Sequence, residues 1–150
     1  KGLAISSTVI RKLIKSSKLR EAQQLLGRRV SILGTVISGT RLGRLLGFPT
    51  ANINPHHEII PSAGIYAVEI IFSEKIYDGI CYIGKRPTIP VKKRSIHVEA
   101  HIFNFKKSIY GKTLEIQFVK MIRKDKKFVT ISDLSDQIQK DVISCRKILR

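Results

Sequence analysis

One segment of the sequence, residues 39–52, combines side chains suited to binding phosphate and a divalent cation. Its three glycines allow the backbone to close around an anion, and its two arginines add positive charge and forked donors. The segment ends in Thr50 and Asn52, whose side-chain oxygens are ligands that Mg²⁺ accepts beside nucleotide phosphates. It therefore predicts a nucleotide-phosphate and magnesium site. The common P-loop is excluded, because the sequence contains no G-x-x-x-x-G-K-[ST] motif.

A second candidate group lies in residues 95–105, where polar and apolar side chains alternate as they do in a β-strand. One face of this strand carries Glu99 between His97 and His101. These side chains have three interpretations: a metal site, a solvated polar face, or a general base in which Glu99 orients or deprotonates a hydroxyl nucleophile. The opposite face is apolar and is expected to be core; it comprises Ile96, Val98, Ala100 and Ile102.

The spacing of the two histidines argues against a zinc ion held by all three polar side chains. His97 and His101 would lie about 13 Å apart along a strand, whereas a zinc ligand lies at about 2 Å. A solvated face is the simplest interpretation of the strand taken alone. The general-base interpretation gains support from the phosphate and magnesium segment, because phosphoryl transfer to an alcohol needs both parts.

The composition is that of one ordinary domain. The chain has 150 residues, of which 43% are hydrophobic, and this is enough to build a core. No apolar run approaches the roughly 20 residues that cross a bilayer, and no signal-peptide pattern opens the chain. The first residue is Lys1, which predicts a fragment or a trimmed chain. Cys81 and Cys145 have no metal-binding spacing, so we expect buried free thiols in a reducing cytoplasm.

The net charge of +17 favours a polyanionic partner. The basic residues are dispersed along the chain, and lysine and isoleucine are both abundant, as a compositionally biased genome would produce. Two explanations therefore stay open: compositional drift with a modest attraction for ATP, and a surface that binds nucleic acid.

The periodicity predicts two short helices, five or six strands and a closing helix. The first helix is capped near Ser6, the second stops at Gly27, and the last begins near Ser132. Two prolines make residues 84–90 irregular. Short links favour antiparallel pairing, and closure removes open edges, so a small barrel capped by the last helix is expected. The predicted strands are residues 29–38 (apolar on both faces), 51–53, 64–72, 75–83, 95–105 and 113–122.

A series of short motifs occurs in the order found in one enzyme family. They are Gly34-x-Val36, Gly39, Gly43-Arg44, Gly47 through Asn52, Gly64-Ile65-Tyr66, Ile83-Gly84-x-Arg86-Pro87-Thr88, Glu99-x-His101-Ile102-Phe103, Tyr110-Gly111, Ile122-Arg123, Lys127-Phe128, Leu134, Gln137-Ile138 and Asp141. In content and order they resemble riboflavin kinase, over residues 25–149.

The resemblance implies a six-stranded antiparallel Greek-key β-barrel with a C-terminal helix and a short helical N-terminal appendage. It implies transfer of the ATP γ-phosphate to the 5′-hydroxyl of riboflavin, which gives FMN and ADP. It makes Glu99 the base and Thr50 and Asn52 the Mg²⁺ ligands. By motif position it assigns ATP to Gly39, Gly43, Arg44, Gly47, Ile102, Asn104 and Tyr110, and the flavin to Arg123, Asp125 and Phe128.

The first residues resemble the junction inside the bacterial bifunctional riboflavin kinase/FMN adenylyltransferases. We therefore expect a helical remnant or linker of the adenylyltransferase module in residues 1–27 and the kinase domain in residues 28–150. The chain would make FMN but not FAD, and the missing module would be its partner in a longer parent chain. The chain departs from the family's usual residues at Cys81, Tyr82, Ala100, Asn104 and Asp125, which leaves the adenine and flavin contacts open.

The alternative function is a non-catalytic basic barrel that binds nucleic acid. It explains the charge, but it does not explain the Pro-Thr-Ala-Asn segment that ends at Asn52. The chain has no Trp, and its Phe residues fall mostly on core-like positions, so an aromatic platform for bases is not expected. We expect small-molecule substrates, and neither a membrane nor a nucleic-acid partner.

Overall fold

The computed structural model describes residues 6–39, 46–56, 59–87 and 94–150. Two short helices precede six strands, and a long helix ends the chain. The elements are α1 (Ser7–Lys15), α2 (Leu19–Leu26), β1 (Ser31–Ile37), β2 (Ala51–Pro55), β3 (Gly64–Phe72), β4 (Lys75–Pro87), β5 (Arg94–Ile102), β6 (Thr113–Lys124) and α3 (Ile131–Leu149).

The six strands form a closed barrel in the order β1-β2-β5-β4-β3-β6, and every neighbouring pair is antiparallel. Strands β3, β4 and β5 follow one another, and β6 returns beside β3, which is the Greek-key arrangement. The predicted barrel class is therefore confirmed. Closure gives each of the six described strands a neighbour on both sides, which is the physical reason that short antiparallel strands adopt it.

The barrel interior is filled by the apolar face of each strand. In β5 the buried residues are Val98, Ala100 and Ile102, as the alternation predicts. At the centre, the rings of Tyr66 and Phe118 meet edge to face with centroids 5.2 Å apart. Both side chains are fully buried, and such pairs stabilise a core beyond the area they remove from water.

The two N-terminal helices pack into the same core as the barrel. Ser6 caps α1 by accepting a hydrogen bond from the Val9 N–H, and Gly27 ends α2 in the left-handed conformation at φ 73°. The core includes three side chains from this region: Ile14, Leu19 and Ala22. The origin of residues 1–27 in another module stays a prediction, but α1 and α2 are physically part of the barrel's core.

The closing helix α3 begins after Thr130, whose hydroxyl accepts a hydrogen bond from the Asp133 N–H. Its apolar stripe packs on the outside of the barrel, where Cys145 is buried with Ala67 and Phe103 in a second core. The Cys145 thiol donates to the Gly79 carbonyl at 3.1 Å, and this bond ties α3 to β4.

Two predictions about strands were wrong. Residues 84–87 continue β4, although Pro87 and Pro90 predicted an irregular segment over residues 84–90; residues 88–90 lie outside the described residues. Beyond Ile83, β4 pairs with β5 alone, so Pro87 stands on an edge where a missing N–H costs no ladder bond. Ile96 lies in the same extension and is 48% exposed rather than core. Strand β1 is apolar on both faces as predicted, but it buries only one of them, and Leu33 on the other face is 44% exposed.

Candidate active site

The candidate site forms where β2 and β5 pair. Asn52 lies directly opposite Glu99 in the antiparallel register, so their side chains project from the same face of the sheet. Thr50, two residues before Asn52, donates a hydrogen bond from Oγ1 to Glu99 Oε1 at 2.8 Å. The proposed magnesium ligands and the proposed base are therefore neighbours.

The two histidines that flank Glu99 have different partners. His97 Nε2 lies 2.7 Å from Glu99 Oε2, whereas His101 Nδ1 donates to the Pro49 carbonyl at 2.6 Å. Within the described ranges, no group of three or more His, Cys, Asp or Glu side chains is placed to hold a metal. His97 is therefore a hydrogen-bond donor to the carboxylate, and His101 is a donor to the backbone just before β2.

Asn52 carries the feature that fits a cation. It is 7% exposed, and its Oδ1 atom has no hydrogen-bond partner among the described residues. A buried amide oxygen without a partner costs about 1–3 kcal/mol, so such an atom needs a reason. Gly39 explains how the amide fits, because a Cβ at that position would overlap the Asn52 side chain. The donor set of a hydroxyl and an amide oxygen suits Mg²⁺.

A cavity of about 460 Å³ opens on one side of Thr50. Of the residues assigned to ATP, Gly39, Ile102 and Tyr110 line this cavity. Asn52, assigned to the magnesium ion, lines it too. Sequence reasoning missed Lys107, which adds a positive charge to the wall. The cavity's size is within the usual range for a small-molecule site.

The other residues assigned to ATP lie elsewhere. Asn104 occupies an exposed turn after β5 at φ 54° and lines neither of the two cavities described here. Gly47 has φ 84°, a conformation that glycine adopts without strain, and its neighbours Leu46 and Phe48 line the second cavity. Gly43 and Arg44 lie outside the described residues. The assignment of all seven residues to ATP stays a prediction, and these four do not line the first cavity among the described residues.

Thr50 also lines a second cavity, of about 300 Å³, which has Glu99 in its wall. All three residues assigned to the flavin line it: Arg123, Asp125 and Phe128. The Arg123 guanidinium lies 5.7 Å from the centre of the Phe128 ring, and the Lys126 ammonium lies 5.2 Å from it. The wall thus combines an aromatic face with two cations.

A buried ion pair holds Arg123 in place. Its Nε and terminal nitrogen donate to both oxygens of Asp141, at 2.8 to 3.1 Å, and Gln137 donates to the same carboxylate at 2.9 Å. The Asp141 side chain is 3% exposed. Sequence reasoning listed Asp141 only as a family motif, although an acidic residue on the apolar side of an amphipathic helix is itself a signal of a buried pair.

The two cysteines have no reactive character. Burial raises the pKa of the Cys81 thiol well above its ordinary range, and the negative charge of Glu99 raises it further. Burial also raises the pKa of Cys145, from 9.0 to about 12. Both are free and buried, as the sequence predicted.

A family model described as Flavokinase, riboflavin kinase, matches residues 26–149. The chain belongs to the riboflavin kinase family. This result confirms the resemblance and gives no support to the nucleic-acid alternative. Tyr110 is the one aromatic side chain among the exposed large apolar residues of the described chain.

The curated relatives that match this chain are longer proteins whose names include riboflavin kinase. The chain is 44% identical over 139 residues to a bifunctional riboflavin kinase/FMN adenylyltransferase of Haemophilus influenzae, covering 92% of this chain and 44% of the relative. The corresponding protein of Bacillus subtilis is 38% identical over 139 residues, covering 91% and 44%. The chain thus spans less than half the length of these riboflavin kinase relatives.

Two solved structures share the architecture. One, described as a macrolide-efflux protein from Streptococcus pneumoniae, superposes with a TM-score of 0.85 at 33% identity, covering 95% of this chain and 46% of that one. A riboflavin kinase from Trypanosoma brucei superposes with a TM-score of 0.54 at 23% identity, covering 79% and 78%, and it supports the fold. Among the described residues of this riboflavin kinase family member, no helix is long and apolar enough to cross a membrane.

Proposed function

We propose that this chain is a riboflavin kinase that transfers the γ-phosphate of ATP to the 5′-hydroxyl of riboflavin. One observation carries the assignment of the site: Thr50 lines both cavities and is hydrogen-bonded to Glu99. A phosphate donor in one cavity and an alcohol in the other would therefore meet beside a carboxylate. Family membership supplies the identity of the two substrates.

The second cavity suits riboflavin. A flat isoalloxazine ring stacks well on an aromatic side chain such as Phe128. The apolar part of the wall comes from Ile80 and from the α3 side chains Leu134, Ile138 and Val142. Glu99 lies in the same cavity, so a ribityl chain that leads from the ring toward Thr50 would bring its terminal hydroxyl to the carboxylate.

The first cavity suits the triphosphate nucleotide. The backbone at Gly39 and the Lys107 ammonium offer donors to phosphate oxygens, and Ile102 and Ile109 offer an apolar surface to the adenine. We assign Gly43, Arg44 and Gly47 to a loop that covers the phosphates, on the family resemblance.

Thr50 and Asn52 would hold a magnesium ion, which neutralises charge on the phosphates. The support is the unpartnered Oδ1 of Asn52 and the position of Thr50 between the two cavities. The Thr50 hydroxyl can donate to Glu99 and still offer a lone pair to a cation.

Glu99 acts as the base. As the 5′-oxygen of riboflavin forms its bond to the γ-phosphorus, the bond from that phosphorus to the β,γ-bridging oxygen breaks, and ADP leaves with the electron pair. The proton of the hydroxyl passes to the Glu99 carboxylate. In a loose transition state this transfer is late, so the main duty of Glu99 is to orient the hydroxyl.

A longer parent protein is part of the proposal. The relatives are named as bifunctional, and we infer that the parent chain also carries an FMN adenylyltransferase module, which is the partner of this one. The fragment would then make FMN but not FAD. The two buried free thiols suit a reducing cytoplasm, where we place the enzyme.

The test is ATP-dependent conversion of riboflavin to FMN, followed by chromatography with magnesium and with a chelator in its place. We expect FMN and ADP in equal amounts with magnesium, and neither with the chelator. Absence of FMN under both conditions would refute the kinase assignment. Appearance of FAD would refute the restriction to the first step.

A further inference from the structure

We propose that His97 is a positioning residue for this reaction, which holds the carboxylate of Glu99 in the orientation that receives the hydroxyl proton. The inference rests on the proposed kinase function and adds a residue that the family motifs do not include. It is carried by a direct contact, since His97 Nε2 lies 2.7 Å from Glu99 Oε2.

The two oxygens of Glu99 are held by different elements. Thr50, just before β2, donates to Oε1, and the His97 imidazole donates to Oε2 from β5. The terminal torsion of a glutamate is broad, so an unheld carboxylate rotates freely. Two donors on opposite oxygens remove that freedom, and a base fixed before the reaction loses less entropy on the way to the transition state.

His97 is itself fixed from the neighbouring strand. The ring of Tyr82 on β4 meets the imidazole edge to face, with centroids 6.3 Å apart. Tyr82 crosses above Gly84, the register partner of His97, and a Cβ on Gly84 would overlap its phenol. The Tyr82 hydroxyl donates to Asp125 at 3.2 Å. A chain of contacts therefore leads from Asp125, in the wall assigned to the flavin, through His97 to the base.

Burial distinguishes this histidine from a solvated surface residue. The His97 side chain is 14% exposed and that of Glu99 is 20% exposed. His97 does not line either cavity, whereas Glu99 and Tyr82 both line the second one. Among the described residues, its contact with the proposed reaction centre is therefore the bond to Glu99.

The test compares His97→Phe, which keeps a flat ring but loses the donor, with His97→Gln, which restores an N–H donor. We expect kcat to fall roughly 10- to 100-fold in His97→Phe, with the KM values for riboflavin and ATP unchanged, because the lost bond is to a charged group. His97→Gln should recover most of kcat. His56→Phe is the matched control, since His56 is exposed, bonds to Thr35 and lines neither cavity.

A double substitution separates positioning from a structural effect. In a Glu99→Gln background, His97→Phe should lower kcat by less than about twofold, because the carboxylate that it positions is gone. Full additivity, or a wild-type kcat in His97→Phe, overturns the inference while the kinase assignment stands. Wild-type protein that makes no FMN overturns both. His97→Ala replaces His97→Phe if thermal melting shows that the latter does not fold.

Discussion

The Thr50 hydroxyl donates to the Glu99 carboxylate across 2.8 Å, although the two residues lie 49 positions apart in the sequence. This bond joins the segment that precedes β2 to the middle of β5, and Thr50 lines both cavities. The relationship depends on the strand order of the barrel, which places β5 beside β2 rather than beside β6. The fold therefore brings the proposed magnesium ligands and the proposed base together from separate elements.

Replacing the base should abolish most of the activity. Glu99→Gln keeps the size and hydrogen-bonding capacity of the side chain but cannot accept the proton, so turnover should fall roughly 10²- to 10⁴-fold. The initial rate of FMN formation measures this. Glu115→Gln on β6 is the control, because Glu115 lines neither cavity. Near-normal turnover of Glu99→Gln would remove Glu99 from the role of base.

Replacing Asn52 should raise the stability of the fold and weaken the use of magnesium. Asn52→Leu replaces the unpartnered buried amide by an apolar group of similar size, so the free energy of unfolding without metal should rise by about 1–3 kcal/mol. The magnesium concentration needed for half-maximal activity should rise by at least roughly tenfold. Urea unfolding and a metal titration measure the two effects. An unchanged magnesium requirement in both Asn52→Leu and Thr50→Ala would rule out the proposed ligands.

Breaking the buried ion pair should affect stability and flavin binding together. Asp141→Asn removes the charge that compensates Arg123, which costs about 3 kcal/mol or more of unfolding free energy for a buried pair. Because Arg123 lines the second cavity but not the first, the KM for riboflavin should rise more than the KM for ATP. Asp136→Asn, at an exposed position of the same helix, is the control. Equal changes in both KM values would contradict the assignment of this cavity to riboflavin.

The N-terminal helices should contribute to barrel stability without touching the chemistry. Leu19 is 8% exposed and belongs to the barrel core, so Leu19→Ala should lower the free energy of unfolding by about 2–5 kcal/mol. Both KM values should stay the same, because Leu19 lines neither cavity. Gln24→Ala, on the exposed side of α2, should change little. A cost for Leu19→Ala below 0.5 kcal/mol, on the order of an exposed surface change, would show that α2 is not part of the cooperative unit.

The Cys145 thiol should make the protein less stable in alkali. Its folded pKa is raised to about 12, whereas an unfolded thiol ionises near its ordinary value of 9.0. The contribution to stability is therefore complete below pH 9 and declines as the pH rises toward 12, by at most about 1.4 kcal/mol per pH unit. The free energy of unfolding of Cys145→Ala should lack this pH-dependent contribution. The difference in unfolding free energy between the two proteins, measured from pH 7 to pH 11, should shrink above pH 9; a constant difference would contradict the raised pKa.

The alternation of residues predicted the core face of the barrel in the middle of β5 and β6, where Val98, Ala100, Leu114 and Ile116 are buried, but not at Ile96. It was not enough to predict how far β4 and β5 extend, because the cost of Pro87 depends on whether a third strand pairs beside it. Residue types predicted Thr50, Asn52 and Glu99 as the chemical centre. They could not predict that His97 meets Glu99 while His101 meets Pro49, because those partners are set by side-chain rotamers and strand register.

The apolar side of helix α3 faces the second cavity along its first half and packs against the barrel along its second half. Its first half, at Leu134 and Ile138, lines the second cavity, and its second half, at Cys145, is buried against the barrel. A ligand that binds in that cavity should therefore also stabilise the packing of α3 on the barrel. Riboflavin should slow amide hydrogen exchange along the whole of α3, including turns that no ligand atom reaches, and substitutions near Cys145 should weaken flavin affinity from a distance.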